Sequence, residues 1–198
     1  MDEQLQIAAE NGDVDALYAR LAQDPYLLDR TDQIPIVDTP LHMAARAEKP
    51  HFAMEVANLK PSLAWKLNHM GLSPIHLALQ HNCTNMVRGL ITINSQLIRV
   101  KGKGMITPLH YLAQTGDADL LVEFLSACLS SIEDTTIHCE TAVKNCSIRA
   151  FKVLLGWLRQ VNKEDILNWK EEDGNTSLHN ATSTNQTEVS FIDAYCLL

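Results

Sequence analysis

Aromatic residues are scarce, at 6% of a 198-residue chain in which apolar residues make up 46%. A core drawn from this composition is mostly aliphatic, and the length suits one domain or one elongated array. No apolar run reaches the roughly 18 residues that a membrane-spanning helix needs, and the stretch from Leu120 to Leu129 is broken by Glu123. No secretory-signal pattern opens the chain, because Met1-Asp2-Glu3-Gln4 is acidic and polar. The five cysteines (Cys83, Cys128, Cys139, Cys146 and Cys196) are odd in number and irregular in spacing. They point to free, mostly buried thiols in a reducing compartment, not to a disulfide framework. Positive charge is also in deficit, since 16 Lys and Arg face 24 Asp and Glu, a formal charge of −8. That balance disfavours nucleic acid, whose phosphates need Lys and Arg, and an anionic membrane surface, while leaving room for a local basic patch; without an apolar span, no direct membrane insertion is expected. Asn-x-Ser/Thr triplets begin at Asn82, Asn175, Asn180 and Asn185. Without a secretory signal they read as products of composition.

Self-similarity is what the chain does have. Thr39-Pro40-Leu41-His42 is echoed by Ser73-Pro74-Ile75-His76, by Thr107-Pro108-Leu109-His110 and by Thr176-Ser177-Leu178-His179. The first three histidines stand 34 residues apart and the fourth lies 69 further on, leaving space for one unit with a degraded motif. Small apolar residues follow each motif (Met43-Ala44-Ala45, Leu77-Ala78-Leu79, Tyr111-Leu112-Ala113), and Glu48, Asn82 or Gly116 then closes the stretch. A second apolar set comes next, such as Met86, Val87, Leu90 and Ile91, whose offsets mark a helix with one buried face. The unit reads as turn, short helix, tight loop, longer helix and loop. Thr or Ser caps the first helix through its side-chain oxygen, and Pro40, Pro74 and Pro108 fit its first position, where no N–H is needed. One such helix pair cannot bury its apolar face alone, and stacked neighbours can.

These motifs resemble ankyrin repeats, whose signature is Thr-Pro-Leu-His-x-Ala at a period near 33 residues. The resemblance implies an all-α solenoid of stacked helix-turn-helix units joined by finger loops. Unit boundaries fall at about 1–35, 36–69, 70–103, 104–136 and 137–172, the last irregular, with an incomplete terminal unit at 173–198. A closer likeness is to the plant ankyrin-repeat proteins of the accelerated-cell-death and defence-signalling family. It is carried by Leu5 to Leu28, by Lys60 to His76, and by Gly156-Trp157-Leu158 with Asn168-Trp169-Lys170 and Gly174-Asn175-Thr176. Members commonly continue into a C-terminal membrane domain, which the present sequence does not reach. The resemblance implies a signalling or defence-related adaptor, or the repeat part of a membrane-linked signalling protein. Its expected location is cytoplasmic, peripheral to the plasma membrane through a partner.

Two regions depart from the pattern. In the first unit Asp2, Glu3 and Gln4 replace the motif, as suits a polar cap whose acidic start complements the helix dipole. In the irregular unit at 137–172, Ala150, Phe151, Leu154, Leu155 and Leu158 form a convincing second helix, but Glu140 to Asn145 stands where a first helix belongs. About four residues are missing after Thr141, roughly one helical turn, so a short or distorted helix is expected there. The last unit should have its second helix near Thr187-Glu188-Val189 and end in a frayed cap.

Repeat periodicity accounts for His42, His76, His110 and His179 as structural groups that bond backbone or Thr atoms, without a partner at metal-ligand or catalytic spacing. His138, Cys139 and Cys146 lack paired zinc spacing, and Gly102-Lys103-Gly104 lacks the order of a phosphate loop. No catalytic residue, cofactor or metal is therefore expected. The rival classes are a solenoid-borne hydrolase or metal-dependent enzyme, revealed by clustered His, Asp or Cys, and a purely structural spacer. The function that remains is binding of a protein partner on the concave side, through finger loops and first helices. Candidate contacts are Ile34, Ile36 and Val37 in the first finger, Trp65, Lys66, His69 and Met70 in the second, and Arg99, Lys101 and Lys103 in the third. Trp157 reads as core, and packing between units competes with an anchoring role for Trp65 and Trp169.

Overall fold

The computed structural model describes residues 2–144, 146–176 and 179. The described residues are helical apart from loops and one isolated parallel bridge, Ile36 to Leu67. Contacts group them into two compact units, 1–103 and 104–198.

In the first unit, helices α1 (Glu3–Asn11), α4 (Pro40–Arg46) and α6 (Pro74–Gln80) are the short first helices of successive repeats. Their partners are α2 (Val14–Gln23), α5 (Pro50–Leu59) and α7 (Thr84–Ile93). α4 packs between α1 and α6, and α5 against both α2 and α7, so two layers of helices share one core. The sequence dictates this layering. Leu5, Ala8 and Ala9, then Leu41, Ala44 and Ala45, then Ile75, Ala78 and Leu79 are buried, and the alanines let neighbouring first helices approach closely. Phe52, Val56, Met86, Val87 and Leu90 fill the second layer. α3 (Leu27–Gln33) adds a short α-helix where later repeats have a 3-10 turn, as at Pro61–Trp65 and Ser95–Arg99.

Each junction between first and second helix needs one left-handed residue. Gly12, Glu48 and Asn82 fill that position with φ of 75°, 54° and 54°, and Gly116 does so in the second unit at 80°. Only glycine adopts this conformation without a Cβ penalty; at Gly116 a Cβ would also meet the Ser147 Oγ.

The second unit opens regularly with α8 (Pro108–Thr115) and α9 (Ala118–Ala127). The following repeat has no first helix among its described residues: a single turn, closed by the Lys144 N–H on the Thr141 carbonyl at 3.0 Å, leads into α10 (Ile148–Gln160). Ala142 and Val143 still plug the core. The lost helical turn shortens the chain, and the Ser147 N–H reaches the Ala113 carbonyl of α8 at 2.9 Å. α10 consequently packs on α8 as well as on α9.

Candidate protein-interaction surface

The histidine motifs are built into the scaffold. Thr39 caps α4, and its backbone N–H and hydroxyl both meet His42 Nδ1, at 3.1 and 2.8 Å. A backbone N–H can only donate, so Nδ1 accepts and the proton sits on Nε2. Nε2 then donates to the carbonyl of Leu72, 30 residues on, at 3.0 Å. Burial disfavours the imidazolium and lowers the His42 pKa to about 4, outweighing the pull of the Leu72 carbonyl. Ser73 and His76 repeat the cap with Oγ–Nδ1 2.7 Å. Thr107 and His110 repeat it at 2.7 Å, and His110 Nε2 reaches the Glu140 carbonyl at 3.0 Å. Thr39, Pro40, Leu41, His42, Ser73, Pro74, Ile75, His76, Thr107, Pro108, Leu109 and His110 are all buried. The exposed pair Thr176 and His179 keeps the contact, with Oγ1–Nδ1 2.8 Å. Leu178 and the expected last helix lie outside the described residues. At His42 and His110, imidazoles bonded through both nitrogens hold consecutive repeats together and have no nitrogen left for a substrate or metal.

The finger loops turn on buried polar side chains. Asn68 is 1% exposed, and its Oδ1 accepts from the N–H groups of Met70 and Leu72, both at 3.0 Å. The Asn68 N–H returns to the Leu72 carbonyl at 2.9 Å, closing a turn in which Gly71 has φ 74°. Thr136 does the same work in the second unit. Its Oγ1 accepts from His138 and Glu140, both at 3.3 Å, with Cys139 in the left-handed position at φ 59°. Single backbone bonds join neighbouring fingers. The Val37 N–H meets the Leu67 carbonyl at 3.2 Å and the Lys103 N–H meets Gly71 at 2.8 Å. In the second unit, Ile137 meets Gly104 at 3.0 Å and Glu172 meets His138 at 3.2 Å.

These fingers carry apolar side chains into water. In the first unit Ile34, Ile36, Trp65 and Met70 are 44, 55, 42 and 62% exposed. Trp65 ends its 3-10 turn with a large part of its ring exposed. His69, Lys101 and Lys103 are exposed beside them, and Arg99 is half-buried. Two candidates are misassigned. Val37 is 8% exposed, because the bridge to Leu67 turns Ile36 outward and Val37 into the core. Lys66 is a staple: its Nζ donates to the carbonyls of Asp32 and Ile34 and pairs with the Asp32 carboxylate at 3.3 Å. Burial pushes the Asp32 pKa up, but hydrogen bonds from Ser62 and Lys66 outweigh it and hold the carboxyl below its usual value. In the second unit Met105, Ile106, Ile137 and Trp169 are exposed on the corresponding fingers. Apart from Trp169, the sequence candidates omit them; Met105 lies about one repeat beyond Met70 and Ile137 about two, and that spacing was the available signal. Trp157 is half-buried on α10.

Among the described residues no group of three or more His, Cys, Asp or Glu is placed to hold a metal ion, and no helix is long and apolar enough to cross a membrane.

Residues 5–101 match the family described as Ankyrin repeats (3 copies). A stretch of 73 residues is 47% identical to the ankyrin repeat-containing protein BDA1 of Arabidopsis thaliana, covering 37% of this chain and 17% of that protein's length. Among solved structures, the ankyrin repeat protein EF0377 is similar at a TM-score of 0.76 and 17% identity, over 96% of both chains. A chain from the complex of the predatory endopeptidase Bd0816 of Bdellovibrio bacteriovorus with immunity protein Bd3460 is similar at 0.70 and 19%, over 96% of this chain and 95% of that one. Residues 5–101 thus carry ankyrin repeats in sequence, and the protein has the ankyrin-repeat fold.

Proposed function

We propose that this chain is a protein-binding adaptor whose partner lies across its finger loops. Ankyrin repeats are protein–protein interaction modules and typically not enzymes. The observation that carries the proposal is the row of outward apolar side chains, Ile34, Ile36, Trp65 and Met70, on fingers joined by backbone hydrogen bonds. The turns that present them are fixed by buried polar groups, so little ordering entropy is spent on binding. Large apolar anchors flanked by charge are the composition of protein interfaces. A signalling or defence role, in the cytoplasm or at the plasma membrane through a membrane-linked partner, is part of this proposal and rests on the resemblance of Leu5 to Leu28 and Lys60 to His76 to the plant defence-signalling family.

The test is affinity purification from plant tissue extract with the wild-type chain and an Ile34→Ala/Ile36→Ala/Trp65→Ala variant in parallel. The proposal expects a discrete set of proteins that the wild type retains and the variant loses, with unchanged circular dichroism. Identical retention by both would move the binding surface elsewhere.

A further inference from the structure

No Asp or Glu occurs between Glu55 and Asp117, although acidic residues outnumber basic ones in the chain as a whole, 24 to 16. The same stretch contains Lys60, Lys66, Arg88, Arg99, Lys101 and Lys103. The acidic character is thus confined to the two ends of the sequence, and the middle repeats are positive. This segregation has a structural consequence in the first unit. Lys60 and Lys66 are neutralised from the preceding repeat, Lys60 by Asp29 and Asp32 at 2.6 and 3.4 Å and Lys66 by Asp32 at 3.3 Å. Lys101 and Lys103 have no such supply. Both are exposed, and among the described residues neither has an ion-pair partner.

The two free lysines are placed by the scaffold. The Lys103 N–H bonds to the Gly71 carbonyl at 2.8 Å, and a Cβ on Gly71 would lie 2.9 Å from the Lys103 Cβ. Only a glycine at that turn lets the third finger close against the second, which sets Lys103 against the turn that carries exposed His69 and Met70. Two unneutralised ammonium groups and an apolar anchor therefore share one rim, and no carboxylate of the same stretch competes for them.

We propose that this rim recognises an acidic protein segment that also presents apolar side chains, the carboxylates meeting Lys101 and Lys103 and the apolar groups meeting Met70 and Trp65. The proposal rests on the finger-loop reading above and adds the chemistry of the partner. Charge complementarity argues for this occupant. An anionic lipid surface or nucleic acid is an extended polyanion that the chain's net charge of −8 repels, whereas a short acidic peptide needs only the stretch between Glu55 and Asp117, which carries no carboxylate.

The experiment uses the full chain and a fluorescein-labelled peptide repeating Glu-Glu-Leu-Phe, read by fluorescence anisotropy. Comparison probes are a Lys-Lys-Leu-Phe repeat, phosphatidylserine vesicles and duplex DNA. The acidic peptide should bind, and raising NaCl from about 50 to 300 mM should weaken it severalfold. Lys101→Glu/Lys103→Glu should cost about tenfold and Lys101→Gln/Lys103→Gln about threefold, with the circular dichroism of the wild type. No binding of the acidic peptide, equal binding by the charge-reversed variant, or preference for vesicles, DNA or the basic peptide would each overturn the proposal. The two readings fail separately. If proteins retained from extract need Ile34, Ile36 and Trp65 but ignore both lysine variants, the finger surface stands and the acidic partner falls.

Discussion

The repeat from Thr39 and the one from Thr141 solve the same problem with different chemistry. In the first, a neutral imidazole joins the helix cap to the next finger through two buried hydrogen bonds, with ring nitrogens fixed by Thr39 and Leu72. In the second, Lys144 stands three residues after the threonine where His would be, and the described residues form no first helix to carry it. Lys144 pairs instead with Glu140 at 2.6 Å and with Glu171 of the following finger, and its side chain is 12% exposed against 7% for Glu171. A charge pair spans the gap left by the shortened chain, where a rigid helix would have presented a ring. The imidazole link needs no counter-ion and is silent to salt. The ammonium link carries the desolvation of two charged groups and is worth less.

The largest effect should come from removing the imidazole. His42→Ala leaves the Thr39 N–H unpaired in a buried site, takes one of two donors from the Leu72 carbonyl and opens a cavity. It should cost about 3 kcal/mol in urea unfolding at pH 7.5. An unchanged midpoint would show that the histidine is passive filler.

Acid should probe the same link without a substitution. The folded pKa of His42 is about 4, below the ordinary imidazole value of 6.5. Unfolded chains therefore take up the proton first. The contribution of His42 is fully present above about pH 6.5 and is lost as pH falls towards 4. The slope is at most about 1.4 kcal/mol per pH unit and the total about 3 kcal/mol. Unfolding curves between pH 7.5 and 4 should show this loss, and His42→Ala should flatten that part of the profile. An equal slope in the variant would assign the acid sensitivity to other groups.

Lys144→Ala should act more locally. It strands Glu171 without its counter-charge, at a cost of about 2 kcal/mol, less than a fully buried pair because Glu140 keeps access to water. Hydrogen exchange should quicken in α10 and the turn before it while amides of α4 to α7 stay protected. High salt should shrink the difference between Lys144→Ala and wild type and leave that between His42→Ala and wild type unchanged.

How much of this was legible follows from which residues repeat. The Thr-Pro-Leu-His phase located α4, α6 and α8 because cap, proline and imidazole each have a fixed place in the motif. The loss after Thr141 was visible as a spacing defect, but the substitute link was not, since Lys144 and Glu171 meet only once the fingers are folded. Among the finger candidates, Ile36 and Val37 are adjacent and equally apolar. The bridge to Leu67 alone decides which faces water. Lys66 looked like a surface charge until Asp32, 34 residues earlier, supplied its partner.

The smallest effect compares two helical glycines, one in each unit. Gly89 lies within α7, and a Cβ there would overlap the sulfur of Met54 on α5. Gly156 lies within α10, and a Cβ there meets nothing within 4 Å. Both sit in helix interiors, where alanine is favoured over glycine by up to about 1 kcal/mol through the entropy of the unfolded chain. Gly156→Ala should realise that gain and raise the urea midpoint of the second unit. Gly89→Ala should forfeit it, because the thioether has to move within a packed layer, and should lose up to about 1 kcal/mol net. The cause can be isolated with a double-mutant cycle. In a Met54→Ala background the overlap is gone, so Gly89→Ala should turn from destabilising to stabilising, a coupling of about 1 kcal/mol. If Gly89→Ala is harmful in both backgrounds, the backbone of α7 and not the Met54 contact demands glycine. If Gly156→Ala destabilises, the gain in helix propensity is not what governs that position of α10.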